Sequence, residues 1–355
     1  MQKTYSVVQF GNKMIDWITD LDMERMNFIN AKLEAIDPSL SKMTPAGDHI
    51  DTPEMHTPLK SIVVDNWVYL GTRKVEGGSC FNTGCATIVS AEALLGMRVA
   101  KQIKIDHIPA SNVMDALTFN MPIVEGSKTR EKSLYKNPTP RPVVFSQEQI
   151  ESLTKCNVFY YPLSTPNTYP AQLDQALKII RDENENHVEI IATFHGFNAE
   201  KTPVKHWPGM DAATIWVGNS KELGAPQNAN KRASFLDRDD TLMVETRGEN
   251  GIVLSTKEYK GDKSRAYSAV PVQELFMVDI KDTGTIGCGN GIEGATILHA
   301  FGLSKGSNKA AKLDWFGAAA NATAGAVASF KGSTLTSGHV PLIKKGFKYL
   351  TSTPR

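Results

Sequence analysis

Hydrophobic and polar positions along this chain fall into short runs whose period keeps switching. Val7-Val8-Gln9-Phe10 is a continuous apolar run closed by Gly11, and it predicts a first strand. Residues 17–60 are polar and Met-rich, broken by Pro38, Pro45, Pro53 and Pro58; they predict an insertion carrying one amphipathic helix over about 23–35. Ser61 to Leu70 has the pattern of a strand on an exposed sheet. Small residues at helical spacing predict a helix from Asn82 to Leu95, stopped by Gly96. Strands are predicted over 98–105, 142–145, 156–161, 188–194 and Ala213 to Val217, with a helix from Ala171 to Arg181. Residues 123–141, rich in Lys, Arg and proline, read as a mobile loop. Thr241–Thr246 and Ile252–Ser255 flank Arg247-Gly248-Glu249-Asn250-Gly251, whose Asn-Gly is a hairpin signal. A strand-like run from Val270 to Ile280 then leads to a glycine-rich turn. A helix over Ile292–Phe301 and an Ala-rich helix over Trp315–Phe330 follow.

Strands alternating with helices imply an α/β protein with a mainly parallel sheet covered on both faces. Composition adds exclusions rather than direction. Apolar residues make up 41% and charged residues 22%, values of a soluble globular protein. A net charge of +1 gives no general attraction to nucleic acid or to an anionic membrane. No run of 18 apolar residues exists, and the first residues lack a signal-peptide pattern. Cys80, Cys85, Cys156 and Cys288 form neither a disulfide framework nor a Cys-x-x-Cys metal pair, so a reducing, cytoplasmic compartment is expected.

The chemistry concentrates at Thr283-Gly284-Thr285-Ile286-Gly287-Cys288-Gly289-Asn290-Gly291-Ile292-Glu293-Gly294-Ala295. A glycine-rich turn that opens a helix lets backbone N–H groups converge where the helix dipole favours negative charge, which makes an anion site. Four further short signals precede it: Gly11-Asn12-Lys13-Met14-Ile15-Asp16, Gly77-Gly78-Ser79-Cys80-Phe81-Asn82, Asn219-Ser220-Lys221-Glu222, and Thr246-Arg247-Gly248-Glu249-Asn250-Gly251. In this order and spacing the five resemble the ribokinase-like (PfkB) family of sugar and nucleoside kinases over nearly the whole chain. The long segment between Asp16 and Gly77 is similar to the adenosine and nucleoside kinase branch.

The resemblance implies a three-layer α/β sandwich in a single domain, with a small β-lid drawn from about 17–76 and 98–141. It implies ATP with Mg²⁺ as cofactors and a nucleoside or sugar hydroxymethyl as acceptor. Asp16, Gly77, Gly78 and Asn82 would bind that acceptor. Thr246, Gly248 and Asn321 would lie beside the nucleotide. Asn219 and Glu222 would organise Mg²⁺ through water; the rival reading of that pair is a helix cap with an acid at its third position. Gly287, Cys288 and Gly289 would form the anion hole. A homodimer is compatible with the pattern.

One position departs from it. The family motif reads Asp-Thr-x-Gly-Ala-Gly-Asp, its last Asp being the catalytic base, and this chain has Asn290 there and Gly284 at the first Asp. An amide has the shape of a carboxylate but accepts no proton, and loss of a general base typically costs about 10²–10⁴-fold in rate. Two readings result: a pseudokinase that keeps the ligand pocket, with a protein partner to act on, or an active kinase using a displaced carboxylate such as Glu293 or Asp282. Gly289-Asn290-Gly291-Ile292-Glu293-Gly294 also fits the dinucleotide fingerprint Gly-x-Gly-x-x-Gly. Asp314, at the distance where that motif needs an acid, introduces a helix instead of ending a strand.

Overall fold

The computed structural model describes residues 4–11, 14–40, 42–43, 53–110, 114–120, 131–135, 144–163, 170–194, 209–224, 229–279, 283–284, 287–330, 332 and 334–352. The chain begins with strands β1 (Tyr5–Gly11) and β2 (Met14–Asp20), then helices α1 (Met23–Ile36), α2 (Pro53–Asp65) and α3 (Trp67–Leu70). Strand β3 (Arg73–Gly77) leads into α4 (Ser79–Leu95) and the short α5 (Met97–Ala100). Strands β4 (Ile103–Pro109), β5 (Met114–Asn120) and β6 (Glu131–Tyr135) follow. Next come α6 (Gln147–Lys155), β7 (Val158–Leu163), α7 (Pro170–Glu183), β8 (Glu189–Phe194), β9 (Ile215–Asn219), α8 (Ser220–Gly224) and α9 (Ala229–Asp237). Strands β10 (Leu242–Thr246), β11 (Ile252–Ser255) and β12 (Arg265–Tyr267) precede α10 (Val272–Phe276). The described chain closes with α11 (Cys288–Ala300), α12 (Lys309–Ala328) and α13 (Val340–Ser352). It divides into two compact units: Met1–Gly11 with Ser79–Ala110 and Pro140–Arg355, and Asn12–Gly78 with Ser111–Thr139.

The larger unit is built on an eight-stranded sheet in the order β12-β11-β10-β9-β8-β7-β1-β4. From β10 to β4 every pairing is parallel; β11 and β12 extend that edge antiparallel. Its central strands are apolar at consecutive positions because both faces are covered, as parallel sheets require. Val8, Phe159, Tyr161, Ala192 and Trp216 pack with Leu153 of α6, Leu173 and Ile180 of α7 and Phe235 of α9. Their neighbours Val7, Tyr160, Ile191 and Ile215 pack on the other face with Ala91 of α4, Ile292 and Ile297 of α11 and Phe316 of α12. Three layers result, helices on each side of a mainly parallel sheet.

The smaller unit is a four-stranded sheet, β3-β2-β5-β6, with β2 and β5 parallel and both outer pairings antiparallel. Leu117 and Phe119 of β5 pack with Met26, Ile29 and Leu33 of α1 and with Met55, Leu59, Ile62 and Val63 of α2.

Several expectations need correction. Ser61 to Leu70 is helical: Ile62 and Val63 are both buried, which consecutive strand positions facing one core cannot be, and Met55, Leu59, Ile62 and Val63 recur at helical spacing. The insertion therefore holds more than one helix, and its first residues, Trp17 to Asp20, belong to β2. The run from Val270 to Ile280 is not a strand among its described residues. Pro271 has no N–H for a ladder, the Leu275 amide closes onto its carbonyl at 2.8 Å, and Met277 at φ +57° ends the turn. The strand expected over 98–105 starts at Ile103, after the turn of α5. Glu131–Tyr135, expected in a loop, is β6, which pairs with β5; residues 123–130, 136–143 and Asp282 lie outside the described residues. Phe145, at the end of the strand expected over 142–145, is in no strand.

Candidate functional site

In the larger unit the glycine-rich turn feeds α11. Gly287 caps it at φ +82°, a conformation that favours glycine, and contributes no side-chain acceptor to the helix's opening N–H groups. Two glycines inside α11 set its place. A Cβ on Gly291 would come 3.1 Å from the Ala324 backbone of α12, and one on Gly294 would come 2.8 Å from the Ala86 backbone of α4. Three helices thus meet backbone to backbone. A Cβ on Gly289, by contrast, would meet nothing within 4 Å.

Beside this turn lies a cavity of about 630 Å³, of the size that takes a nucleotide-sized molecule. Thr246 and Gly248 from the β10–β11 hairpin, Gly284, Cys288 and Gly289 from the turn, and Asn321 from α12 are all in its wall. Sequence signals lying up to 75 residues apart are therefore brought to one place. The hairpin forms as expected, β10 and β11 pairing antiparallel from Met243–Ser255 to Thr246–Ile252. Gly251, at φ +83°, allows the close return: a Cβ there would sit 2.0 Å from the Tyr267 carbonyl oxygen. Asn321 is buried, its Nδ2 donating to the carbonyls of Tyr267 (3.1 Å) and Gly317 (3.2 Å).

Asn290 turns into the interior. It is 7% exposed, and its Nδ2 donates to Thr83 Oγ1 (3.1 Å) and Glu293 Oε2 (3.2 Å), with the Ser79 carbonyl at 3.4 Å. A carbonyl and a carboxylate can only accept, so the amide end is fixed in this direction. Glu293 is 3% exposed; its Oε2 also accepts from Thr83 Oγ1 (2.7 Å) and from the Tyr160 hydroxyl (2.7 Å). Burial and the Glu293 charge push the Tyr160 hydroxyl well above the usual phenol range, and the same two causes raise the Cys80 thiol. Three donors, Asn290, Thr83 and Tyr160, converge on one carboxylate oxygen. Thr83 and Tyr160 carry no sequence signal of their own: a buried tyrosine hydroxyl usually finds a partner, but the pattern does not say which.

Asn219 ends β9, and Glu222 follows in α8. The Asn219 Oδ1 accepts from the Lys221 (2.9 Å) and Glu222 (3.0 Å) amides, and Glu222 Oε2 accepts from the Asn219 amide at 2.8 Å. This is a reciprocal cap. Among the described residues no group of three His, Cys, Asp or Glu could hold a metal ion. Glu222 is buried, and Mg²⁺, which keeps most of its water, needs only one or two protein carboxylates. Asn82, buried in α4, accepts at Oδ1 from the Thr334 hydroxyl (2.7 Å), a partner 252 positions away that no local pattern signals.

In the smaller unit Asp16 lies within β2, opposite Val75 of β3 and Ala116 of β5. It is 7% exposed, and its Oδ1 has no hydrogen-bond partner among the described residues. Burial alone pushes its carboxyl up to about 6. Gly77, across the β2–β3 pairing, leaves it room: a Cβ there would lie 2.5 Å from Asp16 Oδ2. Gly78 holds φ +92°.

No family model matches the chain, and no curated protein sequence matches it significantly. Its fold recurs in solved structures. Adenosine kinase from Sinorhizobium meliloti is 16% identical over 95% of this chain and 98% of its own, with a TM-score of 0.60. Adenosine kinase from Schistosoma mansoni in complex with 2-fluoroadenosine is 15% identical over 93% and 97%, with a TM-score of 0.62. Arabidopsis thaliana ribokinase complexed with ribose and ATP is 14% identical over 96% and 99%, with a TM-score of 0.55. The chain has the ribokinase-like fold, shared by nucleoside and sugar kinases.

Proposed function

We propose that this protein binds ATP with Mg²⁺ and a nucleoside or sugar, and that phosphoryl transfer to the acceptor's hydroxymethyl group is weak or lost. The observation that carries the reading is the cavity at the head of α11, where Thr246, Gly248, Cys288, Gly289 and Asn321 share one wall. The backbone of the Gly287–Asn290 turn would take the phosphates, and the hairpin and α12 would flank the nucleoside part. Bound Mg²⁺ would neutralise phosphate charge, with Glu222 reaching it through water. Asp16, a buried carboxylate with an unpartnered oxygen, is suited to sugar hydroxyls, which donate what it lacks. Asn82 can accept from or donate to a diol.

Transfer needs a proton acceptor at the attacking hydroxyl, and position 290 offers an amide whose N–H groups are already spent on Thr83 and Glu293. Glu293 is a poor substitute: it is buried, and one of its oxygens holds three donors. Titration calorimetry with ATP and ADP in the presence of Mg²⁺, beside a transfer assay over a panel of nucleosides and sugars, tests both halves. Nucleotide binding is expected, with transfer about 10²–10⁴-fold below what a carboxylate base supports. Absence of nucleotide binding removes the reading, and rapid transfer by the unmodified protein overturns its second half.

A further inference from the structure

We infer that Asn290 and Glu293 are a matched pair in which the buried negative charge has been displaced to Glu293, and that Glu293 acts as a positioning residue holding the Asn290 amide inward. The catalytic side of this rests on reading residue 290 as the base position; the pairing itself rests on the hydrogen bonds alone.

The geometry has a direction. Asn290 Nδ2 donates to Thr83 Oγ1 and to Glu293 Oε2; Thr83 donates onward to Glu293; the Tyr160 hydroxyl donates to the same oxygen and can accept from Thr193 Oγ1 at 3.4 Å. All four donor groups drain toward Glu293. The titratable groups that face it, the Tyr160 phenol from β7 and the Cys80 thiol from α4, are both held neutral. Three side-chain donors, Thr83, Tyr160 and Asn290, converge on its Oε2 and stabilise the charge there.

Placing aspartate at 290 would replace the donor at 3.2 Å with a second carboxylate. Two carboxylates at that separation do not both ionise; they share a proton, and one of them titrates far above the ordinary range. The new group would be protonated at neutral pH and could not take the proton of a substrate hydroxyl. Exchanging both residues restores the balance. With Asn290→Asp and Glu293→Gln together, the charge moves to 290, the Gln amide supplies the donor in reverse, the Thr83 hydroxyl turns to the new carboxylate, and Tyr160 keeps donating to the Gln amide oxygen.

Four chains test this: the unmodified protein, Asn290→Asp, Glu293→Gln, and the two changes combined. Thermal unfolding between pH 5 and 9 reads the pairing without any assumption about function. Relative to the unmodified protein, Asn290→Asp is expected to lose melting temperature as pH rises, since a carboxyl whose folded-state pKa is raised is favourable below it and unfavourable above. Adding Glu293→Gln should abolish that slope. In the transfer assay the combined chain should exceed Asn290→Asp by about 10²-fold or more at pH 7. If Asn290→Asp unfolds with the pH dependence of the unmodified protein, or fails to fold at pH 5 as well as at pH 8, the pairing is overturned. A combined chain no faster than Asn290→Asp, in protein that calorimetry shows to bind ATP, overturns the catalytic side. Should no chain bind ATP, the nucleotide reading falls instead, and the unfolding slopes still decide the pairing.

Discussion

Two buried carboxylates, one in each unit, are treated in opposite ways. Glu293 is sunk between α4, α11 and β7 and accepts from three side chains at one oxygen. Asp16 is nearly as inaccessible, yet one of its oxygens has no partner among the described residues, and burial alone raises its carboxyl to about 6. A buried charge that is fully solvated by protein donors holds structure together. One left without donors weakens the fold that contains it, and such a group persists where a ligand brings the missing hydrogen bonds.

The contrast can be broken most forcefully at Glu293. Its replacement in Glu293→Ala strands the Thr83 and Tyr160 hydroxyls and the Asn290 amide away from water, and the stability measured by chemical denaturation should drop by roughly 3 kcal/mol or more. A loss under about 1 kcal/mol would mean that the cluster is not the closed network described. Asp16→Asn should act the other way. A carboxyl whose pKa rises from 3.8 to about 6 on folding contributes stability in full below pH 3.8 and loses it as pH rises through 6. The variant should therefore match the unmodified protein near pH 4 and surpass it above pH 6, by up to about 3 kcal/mol. In the same window acceptor binding by the unmodified protein should weaken about tenfold for each unit below pH 6, because only the ionised carboxylate takes two hydroxyl donors. Destabilisation by Asp16→Asn at pH 8 would show that Asp16 is paired after all. The smallest change sharpens the first case: Thr83→Val removes one of three donors and should cost about 1–2 kcal/mol by denaturation while leaving nucleotide affinity unchanged.

The core of the fold was readable because its strands are apolar at consecutive positions and separated by helices. The strands at Val7–Phe10 and Ile252–Ser255 and the helix over Ala171–Arg181 could hardly be anything else. Ser61–Leu70 misled because β-branched residues crowd a helix there: Ile62, Val63 and Val64 favour a strand locally, and packing against α1 overrides that preference. Pro271 in the Val270–Ile280 run was a legible warning against a ladder. In the site, glycine and asparagine positions stand out in sequence because the backbone needs them; Gly251 beside the Tyr267 carbonyl is one. The partners of Asn82 and Glu293 did not stand out. Thr334, Thr83 and Tyr160 are ordinary residues whose roles exist only once separated elements meet.

The glycines of α11 also constrain how the protein can move. Packed helices slide past one another by letting interlocked side chains hop between rotamers, the shear mechanism of domain motion. At Gly291 against Ala324 and at Gly294 against Ala86 there are no side chains on the α11 side to hop. Any translation of α11 would have to prise backbone from backbone, so α4, α11 and α12 travel as one block, and the N-terminus of α11 moves with them. Adjustment around a guest then falls to the β10–β11 hairpin, where Gly248 has open space around it.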